Sequence, residues 1–410
     1  MNVNRRQFMT GVLGGGIATG VISFTGLDML LSMSEASAST VPVNGPFVLC
    51  TLYGGNDGLN TVIPYESAIY RDWRGELAVP GDQVLPLGED GSGHLGLHPS
   101  LQNMHSLWKA GKVAIINGVE YPDPNFSHFA SQSIWQTCNL SGDPDTGWLG
   151  RWLDTTGIDP FRALSVGSQL PPALVGAKQQ GSSVVDSTNA GAQVPGQNPA
   201  FSSAFKQMMK PYPGEPYMEA AQATCGANLM AVGNQAADAL SKEQPPNMGG
   251  AGDIGTQLSI VAELIEYGLP TSVYSVGMSG FDTHSNQANI QPGLLSELDD
   301  AIGGFMSAFP EAKPGKSPVV MIYSEFGRTT HANASAGTDH SSASSVFVVG
   351  PAVKGGFYGD TPSFTHLDPY GNLIFTTDYR RIYATVLEHV LGMERPYSVL
   401  RGSFRTIDFL

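Results

Sequence analysis

Five short polar clusters in the chain carry the residue types that metal and acid–base chemistry require. Gly54-Gly55-Asn56-Asp57-Gly58 surrounds one carboxylate with residues that permit tight turns, so Asp57 could face a metal; an ordinary Asn-Asp-Gly turn has the same composition. Asn125-Phe126-Ser127-His128-Phe129 places Ser127 where a helix is expected to begin, and free amides there stabilise an anion. Ser127 could equally be a helix cap, and His128 could partner a metal or a phosphate-like group. Phe281-Asp282-Thr283-His284 sets a carboxylate and an imidazole two residues apart, close enough to share an ion or simply to brace a loop. Ser324-Glu325-Phe326-Gly327-Arg328 offers Glu325 to a metal and Arg328 as a clamp for anionic oxygens, or the two as a structural ion pair. Gly337-Thr338-Asp339-His340 adds a second carboxylate–imidazole pair, or a surface turn.

Carboxylate with imidazole suits zinc, manganese or iron better than calcium, which favours oxygen throughout. Several carboxylates and at least two histidines are enough for a two-metal centre, which can activate a nucleophile and stabilise the oxygens of a transferring group. The glycine-rich loop at 54–58 is not a phosphate-binding P-loop, because no Lys-Ser/Thr follows.

The elements needed to position these residues are legible as apolar runs and helical spacings. Phe47–Leu52, Val113–Ile116, Ser272–Val276, Val319–Tyr323 and Ser345–Val349 read as buried strands. Leu101–Ala110, Ser127–Trp135, Trp148–Leu153, Leu258–Tyr267, Leu294–Phe309 and Thr376–Leu391 read as helices, the last with Asp378 in its first turn. Strands alternating with helices predict a three-layer α/β/α sandwich around a mostly parallel sheet. Most of the polar clusters follow a strand, and ligand sites in open α/β sheets lie beyond the strands' carboxyl ends.

Composition narrows the class. The chain has 410 residues with 36 Asp+Glu against 21 Lys+Arg, a formal charge of −15 that leaves no basic surplus for nucleic acid. Its 41% hydrophobic content excludes an acidic disordered tail, and 50 Gly with only 14% charged residues exclude a coiled coil. Arg5-Arg6 before a mild apolar stretch, and Ala36-Ser37-Ala38 after it, resemble a twin-arginine export signal over residues 1–38. The expected destination is the periplasm or the cell exterior, with the twin-arginine translocase a partner in export. No later apolar run is long enough for a membrane span. Residues 39–410 are expected to form a single domain, with a Gly/Ser/Gln-rich insertion at about 168–255 on the sheet edge. Cys50, Cys138 and Cys225 form no disulfide framework; one bridge, such as Cys138 to Cys225, or three unpaired thiols both fit.

The motifs together resemble the DUF1501 proteins, a group of unassigned function placed in the wider alkaline phosphatase/sulfatase superfamily. The residues that carry the resemblance are Gly54–Thr61, Leu97–Leu101, Asn125–Phe129, Gly147–Arg151, Phe281–Gln287, Ser324–Thr329, Gly337–His340 and Thr377–Arg380. The superfamily resemblance implies an alkaline phosphatase/sulfatase-like fold. It implies Asp57 as a first acidic ligand, Ser127 as nucleophile at a helix start, and Asp282, His284, Glu325 and His340 as further ligands. The sequence departs from that pattern in two places: Asp282 and His284 are two apart rather than four, and Glu325-Phe326 stands where an Asp-His dipeptide is usual.

The expected function is an exported metal-dependent hydrolase of phosphate or sulfate esters, carried by an anionic small molecule or a polysaccharide. Ser127 would attack with a metal held by Asp57 and Glu325; Asp282, His284 and His340 would hold a second ion, with Asp339 a further candidate metal ligand; Arg328 and His128 would assist. The cofactor is one or more divalent ions, with zinc, manganese and calcium all open. A non-catalytic secreted or cell-surface binding protein on the same scaffold is the alternative, as is a glycan-acting hydrolase or transferase in which Ser127 is silent.

Overall fold

A computed structural model describes residues 45–184 and 252–410, apart from 92, 143, 144, 158, 168 and 169, together with Val232. The expected export signal, most of the expected insertion and Cys225 lie outside the described residues.

Nine strands form the central sheet: β1 (Phe47–Tyr53), β2 (Val113–Glu120), β3 (Ala163–Val166), β4 (Ser182–Val184), β5 (Val273–Ser279), β6 (Val319–Ser324), β7 (Ser344–Val349), β8 (Gly356–Tyr358) and β9 (Thr377–Asp378). Their order is β8-β2-β7-β6-β1-β5-β3-β4, with β9 also pairing β2. All run parallel except β7, which is antiparallel to both of its neighbours, β2 and β6. The sheet is therefore mixed rather than uniformly parallel. The apolar run of β7 matches the strand expected at 345–349; its reversal follows from the absence of a crossover helix between β6 and β7. A parallel return needs such a crossover, whereas this connection stays at one end of the sheet. There Gly327-Arg328 pairs antiparallel with His340-Ser341.

Strand side chains alternate between the two faces, and each face meets its own helices. Val48, Cys50 and Leu52 of β1 join one core, with Met104 of α1 (Gln102–Lys109). Leu258 of α4 (Gly252–Tyr267) and Ile302 of α5 (Gln287–Ala308) complete that layer. Phe47 and Leu49 of β1 join the other core, with Trp135 of α2 (His128–Thr137) and Trp148 of α3 (Trp148–Thr156). Tyr383 of α6 (Arg380–His389) stacks on Trp148 at 4.0 Å between ring centroids. A mixed central sheet flanked by helices is thus the architecture of the described residues. A smaller core under residues 59–84 packs Leu59, Ile63, Tyr70 and Val84 together with Leu373.

Two helix boundaries differ from expectation. α5 starts at Gln287, ahead of the expected Leu294, and accommodates Pro292. Its first turns are anchored by side chains: Gln287 Nε2 donates to Asp57 at 2.5 Å, and Gln291 Nε2 donates to the Asp57 carbonyl at 3.1 Å. Asp378 lies in β9 rather than in the first turn of the last helix, because residues 377–378 extend along β2; its carboxylate pairs with Arg380 at 2.6 Å. Cys50 and Cys138 are buried free thiols. No helix among the described residues is long and apolar enough to cross a membrane.

Candidate metal centre

The carboxyl ends of β1, β5 and β6 lie side by side, with Tyr53 opposite Ser279 and Leu52 opposite Ser324. The chain leaves these ends directly into Gly54, Gly280 and Glu325. β2 ends on the same side and leads through residues 121–127 into α2, which opens with His128. Because β7 runs the other way, the segment that precedes it also reaches this edge and brings His340. Close approach of the loops demands glycine at two points. A Cβ on Gly54, whose φ is +121°, would lie 2.4 Å from the Asp282 backbone nitrogen; one on Gly337 would lie 2.3 Å from the His284 carbonyl carbon.

Three imidazoles and one carboxylate converge here, and hydrogen bonds fix which ring nitrogen of each faces inward. His128 Nδ1 is 2.8 Å from Glu325 Oε1, His284 Nδ1 is 2.8 Å from Asp339 Oδ1, and His340 Nδ1 is 2.8 Å from the Phe126 carbonyl. All three partners only accept, so each Nδ1 carries the proton and donates. Each neutral ring then presents the Nε2 lone pair to the cluster. His284 Nε2 and His340 Nε2 are 2.9 Å apart, and both lie 3.0 Å from Asp282 Oδ1. His128 Nε2 lies 3.5 Å from Asp282 Oδ2 and is buried without a hydrogen-bond partner. Asp282 Oδ1 also accepts from Arg328 Nη2 at 2.7 Å, but the three facing Nε2 atoms have no donor between them unless a ring takes up an extra proton. A proton or a metal cation relieves that arrangement.

The spacing fits a single small ion. Ligand atoms about 2.0–2.1 Å from a tetrahedral zinc lie roughly 3.3 Å from one another. Ligand atoms of His128, Asp282 and His340 lie mutually within 4.8 Å; His284 stands outside that set, its Nε2 beside His340 Nε2 at 2.9 Å. This His/Asp/His set could coordinate a divalent metal. Partial burial disfavours ionised Asp282, but a bond from His340 when its Nε2 carries the extra proton, together with the Arg328 guanidinium, outweighs it and holds the carboxyl well below the usual range. Asp282 and His284 keep 47% and 43% of their side-chain surface exposed, so the cluster is open to solvent on one side.

The remaining expected residues are displaced from the roles assigned above. Asp57 does not reach the cluster: it is 1% exposed, and its two oxygens take bonds of 2.7 and 2.8 Å from Arg74. Arg74 ends a helix at residues 68–74, and no spacing in the sequence linked it to Asp57. Glu325 is fully buried and pairs with His128; it also accepts from Gly54 N, Gln132 Nε2 and Ser324 Oγ. Asp339 likewise stands behind His284, and that bond, ahead of the opposing effect of partial burial, holds its carboxyl below the usual range. Arg328 is fully buried and is no free clamp for substrate. It donates to Gly55 O, Thr338 O, Gly54 O, Phe281 O and Asp282, tying three loops together. Asp57 and Glu325 thus each stand in a separate pair, with Arg74 and with His128. Ser127 stands exposed just before α2, and its side chain makes no capping hydrogen bond.

Sequence reasoning missed the Phe126 carbonyl, Gln132 and Phe326 as parts of this centre. The Phe326 ring packs against His128 and His340 at centroid distances of 4.9 and 4.6 Å. Gln132 had a usable signal, since it falls four residues after His128 on the same helical face.

The family model described as "Protein of unknown function (DUF1501)" matches residues 112–368, which include every residue of the cluster. Comparison with curated proteins finds no match. Among solved structures, the C-terminal periplasmic domain of EcEptC from Escherichia coli, in complex with Zn, aligns over 76% of this chain and 74% of that one. The identity is 8% and the TM-score 0.35, too distant to carry any argument about this chain.

Proposed function

The chain belongs to the DUF1501 family, and from the geometry of its imidazole cluster we propose that it is an exported hydrolase that uses one divalent metal ion to cleave phosphate or sulfate esters. The observation that carries this reading is the inward orientation of three imidazole Nε2 atoms around Asp282, each ring held from behind by an acceptor. His128, Asp282, His284 and His340 would hold the ion. Three nitrogens and one oxygen suit zinc, with manganese or iron next; calcium fits poorly because it favours oxygen donors. Such an ion supplies Lewis acidity to an ester oxygen and lowers the pKa of a water towards neutrality.

The chain's own groups would do the rest. Glu325, Asp339 and the Phe126 carbonyl keep the rings oriented. The amides of the first turn of α2 favour an anionic oxygen beside Ser127. Arg328 is fully engaged, so its charge reaches a substrate only through Asp282. One ion and one helix terminus offer limited positive charge, which suits a monoanionic ester, such as a sulfate ester or phosphodiester, better than a dianionic phosphate monoester. The sequence resemblance to the alkaline phosphatase/sulfatase superfamily and the twin-arginine-like leader support the ester class and the periplasmic or extracellular location.

Ser127 has no base hydrogen-bonded to its side chain, and this favours a second reading in which water is the nucleophile. The test is elemental analysis of the purified chain with turnover of para-nitrophenyl sulfate, para-nitrophenyl phosphate and its bis-ester. Asp282→Ala and His340→Ala should lose both metal and turnover. Loss of turnover with metal retained in Ser127→Ala selects the serine route; retained turnover selects water. A folded, zinc-supplemented protein that holds no metal refutes the proposal.

A further inference from the structure

Two of the loops that carry the imidazole cluster meet at one buried amide. Thr283 lies between Asp282 and His284, and Thr338 lies beside Asp339 and two residues before His340. The Thr338 backbone N–H donates to the Thr283 carbonyl at 3.2 Å. Both hydroxyls then reach a single atom: Thr283 Oγ1 is 3.1 Å and Thr338 Oγ1 is 2.6 Å from Oε1 of Gln287, the first residue of α5. Gln287 and Thr338 are fully buried, and Thr283 nearly so.

The partners fix which way this amide points. Gln287 Nε2 faces Asp57 Oδ2, and an ion-paired carboxylate only accepts. The nitrogen must therefore face Asp57 and the oxygen must face the threonines, so each hydroxyl commits its one hydrogen to Gln287. The second amide hydrogen goes to Gln291 Oε1 at 3.2 Å, and the Gln287 backbone N–H donates to the Ala336 carbonyl at 2.9 Å. Its place thus does not hang on Asp57 alone. Arg328 also ties these loops, but it is a cation in contact with Asp282. Gln287 is neutral and bonds to none of the imidazoles or to Asp282, so it acts on the cluster through position rather than charge.

Position matters here because the facing atoms come from different loops. His284 Nε2 and His340 Nε2 are 2.9 Å apart, and each lies 3.0 Å from Asp282 Oδ1. A ligand set must be held to within about 0.5 Å to keep its function. We propose that Gln287 is a positioning residue for the metal centre: by accepting from Thr283 and Thr338 together, it sets the distance between the Asp282–His284 loop and the Asp339–His340 loop. This rests on the metal-binding part of the reading above, not on the ester or its hydrolysis.

The test uses the full chain as wild type, Gln287→Met, Thr338→Val, Thr338→Ser and Tyr70→Phe. Each is titrated with zinc against a chromophoric chelator, melted without metal, and examined as the cobalt(II)-substituted protein, whose visible absorption reports the ligand geometry. Thr338→Val removes one hydroxyl with little change of shape and should weaken zinc binding about ten-fold, the low end for groups behind metal ligands. Its cobalt spectrum should change, and Thr338→Ser, which keeps the hydroxyl, should restore both. Gln287→Met should lose at least as much; Thr338→Val keeps the test valid if that protein fails to fold. Tyr70→Phe is the control. Its hydroxyl belongs to the same buried network, donating to Asn60 Oδ1 and accepting from Val79 N, both at 3.0 Å, but it touches neither loop. It should lower the melting temperature and leave zinc affinity and the cobalt spectrum unchanged. Wild-type affinity and spectrum in folded Thr338→Val, or an equal affinity loss in Tyr70→Phe, overturns the positioning role while the metal reading stands. A folded wild type that binds no zinc overturns both.

Discussion

Replacing Glu325 by Gln separates a residue that holds a ligand from one that is a ligand. The carboxylate is fully buried and takes bonds from His128 Nδ1 at 2.8 Å, Gly54 N at 3.0 Å, Gln132 Nε2 at 3.1 Å and Ser324 Oγ at 3.2 Å. Glutamine keeps the shape but turns one acceptor into a donor and removes the charge that strengthens the His128 bond. Loss of such a partner typically costs about 10–100-fold in metal affinity, or about 1.4–2.7 kcal/mol. The donors left without an acceptor cost a further 1–3 kcal/mol or so of metal-free stability. The assay is competitive titration of zinc against a chromophoric chelator, with melting followed with and without metal. The protection that zinc gives should shrink in step with the affinity, since stabilisation follows the logarithm of ligand concentration over Kd. Unchanged affinity in a folded Glu325→Gln protein would refute the orienting role. Complete loss of binding, matching Asp282→Ala, would instead make Glu325 a ligand.

Asp57→Asn should leave zinc affinity unchanged but lower stability by about 3–5 kcal/mol, because Arg74 would remain buried beside a neutral partner; denaturant melts and zinc titration decide, and lost zinc affinity restores Asp57 as a ligand. Glu120 is fully buried, and burial outweighs weak bonds from the Tyr121 amide and Trp135 and pushes its pKa well above the usual range. The folded state thus keeps a proton that the unfolded chain releases near pH 4.5, so Glu120 should reduce stability above that pH by about 1.4 kcal/mol per unit until its folded pKa is reached. Glu120→Gln should flatten that decline in unfolding free energy measured against pH, and an unchanged slope rejects the neutral carboxyl. The limited positive charge of the centre predicts a higher kcat/KM for para-nitrophenyl sulfate or the phosphodiester than for para-nitrophenyl phosphate; steady-state kinetics showing the reverse order would mean a second cation acts.

The strands that carry the site were legible because buried strands read as unbroken apolar runs, as in Phe47–Leu52 and Val319–Tyr323. The direction of β7 was not in its own residues, since an apolar run has no polarity; the signal lay in the helix-free connection from Glu325 to Ala343. Chemistry-bearing residues could be found by type, but not aimed. Asp57, Glu325 and Asp339 look alike as strand-end or loop carboxylates, and what separates them is the partner each meets. Asp57 meets Arg74 from residues 68–74, Glu325 meets His128, and Asp339 meets His284. Those encounters are made by tertiary packing between segments up to 197 residues apart. Periodicity does not encode them.

That sorting of carboxylates also bears on how many ions the centre holds. Around the imidazoles stand Asp282, Glu325 and Asp339, against the single guanidinium of Arg328. Asp57 and Arg74 neutralise each other within their own buried pair. With neutral rings the centre therefore carries a formal charge of −2, which one divalent ion cancels and two would exceed. The carboxylates that a two-ion site would use as ligands instead fix the tautomers of His128 and His284. On the proposed reading, the same acidic residues that made a pair of ions a reasonable expectation from sequence thus build the cage for one.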